Sequence, residues 1–103
     1  MAQILPLLVE KREKPISVIM VSYMTGPALL EAINAVVADP DIFELILVDN
    51  GNTQDARKRI SHVVAQHDHI RLLQGHGNIG FGRACNYGAS LARGEHFLFL
   101  NPD

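Results

Sequence analysis

This sequence predicts an α/β fold built on a doubly wound parallel sheet of about four strands, in the order 3-2-1-4, with helices on both faces. Two observations carry that reading. Short apolar runs alternate with amphipathic segments as strand, helix, strand, helix, strand, helix, strand, and such alternation calls for right-handed crossovers between parallel strands. The last run, Phe97 to Leu100, is bounded by Gly94 and by Asn101-Pro102, and reads as a fully buried strand inside a parallel sheet. It delivers Asn101 and Asp103 just past its carboxyl end, the edge where open α/β sheets bind ligands.

Residues 1–15 read as a lead-in to a single domain over 16–103. Ile4 to Val9 is apolar but short, is broken by Pro6 and has no basic residue before it, which argues against a signal peptide; Glu10 to Lys14 reads as solvated. Ile16 to Val21 is rich in β-branched residues and reads as the first strand, ending in Ser22 and Tyr23. Gly26 turns the chain, and Pro27 suits a first helical position, where its missing N–H costs nothing. Leu29, Leu30, Ile33, Val36 and Val37 then form one apolar helix face that stops before Asp39-Pro40.

Leu45 to Val48 is the second strand and runs into the loop Asp49-Asn50-Gly51-Asn52. Thr53 is a good N-cap for a second helix with Ala56, Ile60, Val63 and Val64 inward and the basic trio Arg57, Lys58 and Arg59 on a solvated face. Ile70 to Leu73 is the third strand. Gly75 to Arg83 is too rich in glycine to be helical, a third helix from Ala84 carries Cys85, Tyr87, Gly88 and Leu91, and Gly94 stops it.

Composition bounds the function. With 103 residues, 48% hydrophobic and 19% charged, the chain suits one small globular domain. A net charge of -2 and a pI near 6.2 give no reason to expect a nucleic-acid partner. The single cysteine, Cys85, excludes an intrachain disulfide, fits a reducing compartment and reads as a small buried hydrophobe. His62, His67 and His69 lack the i, i+4 helical spacing of a metal pair and read as surface residues.

The strand order brings Ser22 and Tyr23 across a crevice from Asn101 and Asp103, with Asp49 alongside. Tyr23 offers a face on which a base can stack, and Asp49 a carboxylate for base N–H or ribose hydroxyls. Asp103 offers a hard oxygen ligand for a divalent cation. Together they describe a nucleotide-diphosphate pocket. Gly75-x-Gly77-x-x-Gly80, set between a strand and a helix, also matches the dinucleotide-binding fingerprint, so a Rossmann-like dinucleotide domain stands as an alternative. A non-catalytic structural or oligomerisation module is a third reading.

Four motifs, Val21-Ser22-Tyr23, Leu47 to Thr53, Asn78 to Gly82 with Asn86, and Leu98 to Asp103, stand in the order found in family 2 glycosyltransferases of the GT-A fold, which residues 16 to 103 resemble. The rhamnosyltransferase-like members are the most similar. The resemblance implies sugar transfer from a nucleotide-diphosphate donor to a glycan or lipid-linked acceptor, with inversion and a divalent cation, Mg²⁺ or Mn²⁺. It implies an enzyme of cell-surface polysaccharide biosynthesis, cytoplasmic and peripheral to the membrane in its full-length form. Carried over by motif, Ser22, Tyr23, Asp49 and Asn50 contact the nucleoside, Asn78, Gly80 and Arg83 lie beside the donor, and Asn101 and Asp103 are the two ends of the DxD motif, with Asp103 the metal ligand. Asn101 replaces the first acid of that motif and removes one charge. No residue is assigned as catalytic base, and the chain reads as the donor-binding half of the enzyme. On this order Phe97 to Leu100 becomes an exposed edge strand, from which a homodimer is expected.

Overall fold

The structure, a computed structural model, describes residues 15–102. The lead-in up to residue 14 and Asp103 lie outside the described residues. Seven elements follow in order: β1 (Ile16–Ser22), α1 (Ala28–Val37), β2 (Ile42–Asp49), α2 (Gln54–Val64), β3 (Ile70–Leu73), α3 (Phe81–Leu91) and β4 (His96–Leu100). The four strands are parallel in the order β3-β2-β1-β4, as expected from the alternation.

Side chains alternate across each strand, so the sheet divides its apolar residues between two cores. On one face Val18, Met20, Leu45, Leu47 and Ile70 pack with Leu29, Ile33 and Val36 of α1 and Ile60 of α2. On the other, Ile19, Val21, Ile46 and Val48 pack with Ala84 of α3. The chain travels from β1 through β2 to β3 and then returns past β1 to β4. Reversing direction along the sheet at a fixed crossover hand carries α3 to the opposite face. That reversal places the switch between β1 and β4. Close packing on the α3 side depends on Gly88, where a Cβ would lie 2.7 Å from Ile19 Cγ2 and 3.1 Å from Val48 Cγ2.

Four local expectations need correction. β2 begins at Ile42 rather than Leu45, because Ile42, Phe43 and Glu44 extend the ladder beside Ile16 and Ser17. α3 begins at Phe81, so Phe81, Gly82 and Arg83 are helical; Gly80, at φ +88, makes the turn that lets the helix start. Gly94 does not stop that helix, which ends at Leu91. It is a close-approach glycine whose Cβ would fall 2.5 Å from Ser17 Oγ and 2.9 Å from the Pro15 carbonyl. Phe97, Leu98 and Phe99 are not buried but 47%, 48% and 49% exposed, since β4 pairs only with β1 among the described residues.

The amino ends of the strands are tied by a buried polar cluster. The Ser17 hydroxyl donates to Glu44 Oε2 at 2.6 Å, the Arg93 backbone N–H donates to the same oxygen at 2.6 Å, and the Gly94 N–H donates to Ser17 Oγ at 2.8 Å. Arg93 Nε lies 3.7 Å from Glu44 Oε1. The three segments β1, β2 and the α3–β4 connection are thereby clasped at the end of the sheet opposite the crevice. Among the described residues no helix is long and apolar enough to cross a membrane.

Candidate functional site

At the carboxyl ends, Ser22 and Asp49 stand side by side in the β1–β2 register, and Asn101 follows one residue after the Met20–Leu100 pair of β1 and β4. Asp49 is only 4% exposed. Its Oδ1 accepts from the Asn52 side-chain amide at 2.7 Å and from the Gly51 N–H at 3.1 Å, while Oδ2 lies 3.5 Å from Arg57 Nε. The loop after β2 thus folds back on the strand that delivers it. Asn52 is the hub of this loop: its amide also donates to the Ser22 carbonyl at 3.2 Å, and its Oδ1 accepts from the Thr25 N–H at 3.1 Å.

The N-cap expected at Thr53 is present, its hydroxyl accepting from the Ala56 N–H at 3.2 Å. That cap starts α2 four residues after Asp49 and puts Arg57, one turn in, back over the carboxylate. A second bridge ties the Asn50 loop to the glycine-rich loop before α3. The Asn50 amide donates to Asn78 Oδ1 at 3.1 Å, and Asn50 Oδ1 accepts from the Ile79 N–H at 3.1 Å. Asn78 Oδ1 in turn accepts from the Gly80 N–H at 2.9 Å, holding the turn into α3.

Two clefts open on these strand ends. One, of about 200 Å³, is lined by Asp49, Gly51, Asn52, Arg57, Gly75 and Gly77. The other, of about 330 Å³, is lined by Val21, Tyr23, Asn50, Asn78, Gly80, Phe81 and Asn101. Tyr23 of the second cleft is 52% exposed, and its ring carbons lie 3.2 and 3.3 Å from where a Cβ on Gly51, in the wall of the first, would be. Gly51, at φ +128, is the residue that allows this approach.

Of the residues expected at the site, Tyr23, Asp49, Asn50, Asn78, Gly80 and Asn101 line these clefts. Ser22 does not: it is fully buried, its hydroxyl 2.6 Å from Thr25 Oγ1, and it shapes the loop rather than facing the space. Arg83 is exposed on the first turn of α3 and lines neither cleft. Sequence reasoning missed Asn52 and Arg57. A solvated face for the basic trio fits Lys58 and Arg59, whereas Arg57 turns toward Asp49. The signal that could have found it is its position four residues after the N-cap Thr53, on the helix face continuous with the loop.

For a cation, the chemistry of the described residues is sparse. No group of three or more His, Cys, Asp or Glu side chains among them is arranged to hold a metal ion. Asp49 does not fit as a ligand, because one oxygen carries two hydrogen bonds and the other faces a guanidinium. Asp103, the expected ligand, lies outside the described residues. Cys85 packs against the α3-side core, and burial pushes its thiol up from the ordinary range, which suits an apolar filler rather than a nucleophile.

Comparison with known proteins bears on what these clefts hold. The profile of the family described as glycosyl transferase family 2 matches residues 17–103. An uncharacterized glycosyltransferase of Nostoc sp. is 38% identical over 91 residues, covering 85% of this chain and 28% of that protein. Glycosyltransferase GlyG of Streptococcus pneumoniae serotype 4 is 30% identical over 89 residues, covering 85% of this chain and 30% of that protein. The chain therefore spans less than a third of the length of these relatives. Among solved structures, the mannosyltransferase PcManGT of Pyrobaculum calidifontis, determined in complex with GDP-Man and Mn²⁺, superposes with a TM-score of 0.79 at 18% identity, covering 90% of this chain and 28% of that one.

Proposed function

Because the chain belongs to glycosyl transferase family 2, we propose that it supplies the nucleotide-sugar-binding part of an enzyme that transfers a sugar from a nucleotide-diphosphate donor to an acceptor hydroxyl. The observation that carries this reading is the convergence of Tyr23, Asp49, Asn50, Asn78 and Asn101 on two neighbouring clefts at the carboxyl ends of β1, β2 and β4. Tyr23 stacks on the base, Asp49 accepts from a base N–H, and Asn78 with the Gly80 turn lies beside the diphosphate. Residues 16–103 are the donor-binding domain, and Asn101 and Asp103 stand at the ends of a DxD-like motif. The structure solved with GDP-Man and Mn²⁺ on the same fold supports a donor of this class.

In the inverting reaction the acceptor oxygen attacks the anomeric carbon as the bond from that carbon to the diphosphate oxygen breaks, and the acceptor proton passes to a carboxylate. None of the described residues is assigned that base. Asp103 would hold a divalent cation, Mg²⁺ or Mn²⁺, whose charge would offset the negative charge of the diphosphate leaving group. What the described residues supply is binding and orientation: Asp49 and Tyr23 fix the nucleoside, and the Asn50–Asn78 bridge fixes the glycine loop next to it. The acceptor is a glycan or a lipid-linked hydroxyl, as in cell-surface polysaccharide synthesis. The enzyme works in the cytoplasm, peripheral to the membrane.

Thermal unfolding with UDP, dTDP or GDP, each with Mg²⁺ or Mn²⁺, tests the reading against NAD and NADP. A ligand at about 100 times its Kd stabilises by about 2.7 kcal/mol, which raises Tm by roughly 10 °C or more for a domain of this size. Such a rise with at least one nucleoside diphosphate is expected. Stabilisation by the dinucleotides alone would instead assign the glycine loop to a Rossmann-like function.

The apolar edge of β4 leads to a second expectation. Phe97, Leu98 and Phe99 are about half exposed, on a strand with one neighbour among the described residues, and such edges pair with other chains. We expect a homodimer through Phe97 to Leu100. Sedimentation velocity at rising concentration should show it, and a clean monomer throughout would rule it out.

A further inference from the structure

The carboxylate of Asp49 is half used before any ligand arrives. Oδ1 accepts two hydrogen bonds, from Gly51 and Asn52, and so has both lone pairs engaged. Oδ2 is the oxygen left to accept from a ligand, and beside it stands Arg57. The Nε–Oδ2 separation of 3.5 Å exceeds the 2.7–2.9 Å of a tight charge-assisted bond, and the Arg57 side chain is 50% exposed. The contact is loose and the guanidinium is half exposed, so Arg57 can turn to a ligand while its charge stays beside Asp49. Both residues line the 200 Å³ cleft, whose remaining wall is Gly51, Asn52, Gly75 and Gly77.

Resting on the reading of this cleft as part of a nucleotide-sugar site, we infer that Arg57 and Asp49 together read the base, selecting a uracil or thymine nucleotide over a guanine one. A pyrimidinedione presents one ring N–H flanked by carbonyl oxygens. Oδ2 accepts that single N–H while the Arg57 guanidinium donates to the adjacent carbonyl, so one acceptor and one donor match the edge. Guanine presents two neighbouring N–H groups, on the ring and on the exocyclic amine. Its ring N–H is also flanked by a carbonyl that Arg57 can serve, so the difference lies in the amine, which asks for a second open carboxylate oxygen, and Oδ1 is already taken by the loop. The mismatch leaves a buried polar group unpaired, which is how hydrogen-bonding sites discriminate most sharply.

The test is calorimetric titration of the chain with UDP, dTDP and GDP at fixed Mg²⁺, for the parent, Arg57→Leu and Arg57→Lys. The parent is expected to bind UDP and dTDP at least about 10-fold more tightly than GDP. Arg57→Leu removes the donor and is expected to weaken UDP about 10- to 100-fold. Arg57→Lys keeps a positive charge beside Asp49, and with it the ligand-free Tm, but lacks the planar fork, and is expected to lose about 10-fold for UDP. That split between unchanged stability and lost affinity separates base reading from a structural role, and it holds if the leucine variant folds poorly. A parent that prefers GDP, or an Arg57→Lys variant that binds UDP like the parent, overturns the inference and leaves the nucleotide-sugar reading standing. A parent that binds none of the three overturns both.

Discussion

Asp49→Asn is expected to weaken nucleoside diphosphate binding by about 100-fold or more while costing the fold about 1 kcal/mol. The two effects separate because the two carboxylate oxygens have different duties. An asparagine can keep its carbonyl oxygen in the Oδ1 position, where it still accepts from the Asn52 amide and the Gly51 N–H, so the loop after β2 retains its closure. Its amide nitrogen then replaces Oδ2. A donor now faces the Arg57 guanidinium and the incoming base N–H, and an attraction becomes a repulsion at a position 4% exposed to solvent. Calorimetric titration alongside urea unfolding reads both quantities on the same preparation. A variant that binds the nucleotide as tightly as the parent would remove Asp49 from the site, and one that fails to fold would make it a residue of the loop alone.

The backbone of this site was legible in the sequence, because each strand end is marked by a change from apolar to polar residues that burial itself imposes. Val48 is buried in the sheet and Asp49 is the next residue; Leu100 and Asn101 repeat the pattern on β4. The strand order followed from alternation and crossover hand, and the cap at Thr53 from its hydroxyl and the apolar stripe beyond it. What escaped depends on tertiary placement. Arg57 sits among three basic residues whose local pattern is that of a solvated face, and only the start of α2 at the strand end brings one of them over Asp49. Phe81 to Arg83 read as loop because glycine is costly in helices, yet Gly80 supplies the positive-φ turn and the core around Ala84 holds the first turn of α3. Phe97 to Phe99 have the composition of an interior strand, and it is the strand order, not that composition, that marks them as an exposed edge.

Glu44→Ala is expected to lower stability by about 2–4 kcal/mol at neutral pH. Glu44 is 1% exposed, and its Oε2 accepts from the Ser17 hydroxyl and the Arg93 N–H; alanine leaves both donors buried without that acceptor and adds a void. The Arg93 guanidinium contributes less, since its side chain is 68% exposed and water screens it. The effect also has a pH signature. Burial pushes the Glu44 carboxyl up, but the Arg93 backbone N–H, the Ser17 hydroxyl and the charges of Arg93 and Arg71 outweigh it, so the group is held below its ordinary value of 4.5. A carboxyl with a lowered folded-state pKa stabilises fully above its unfolded value, and that contribution is lost as pH falls through the folded value. The stability gap between parent and Glu44→Ala should therefore be constant from neutral pH to somewhat above 4.5 and shrink below it, as urea unfolding at stepped pH would show. A gap that persists undiminished into acid would mean that the void, not the charge, sets the loss. The clasp also bears on function through position. By joining Ser17 to Gly94 it sets β4 against β1 in the register that places Asn101 beside the crevice, so a folded Glu44→Ala chain should show a weaker but still measurable affinity for nucleotide.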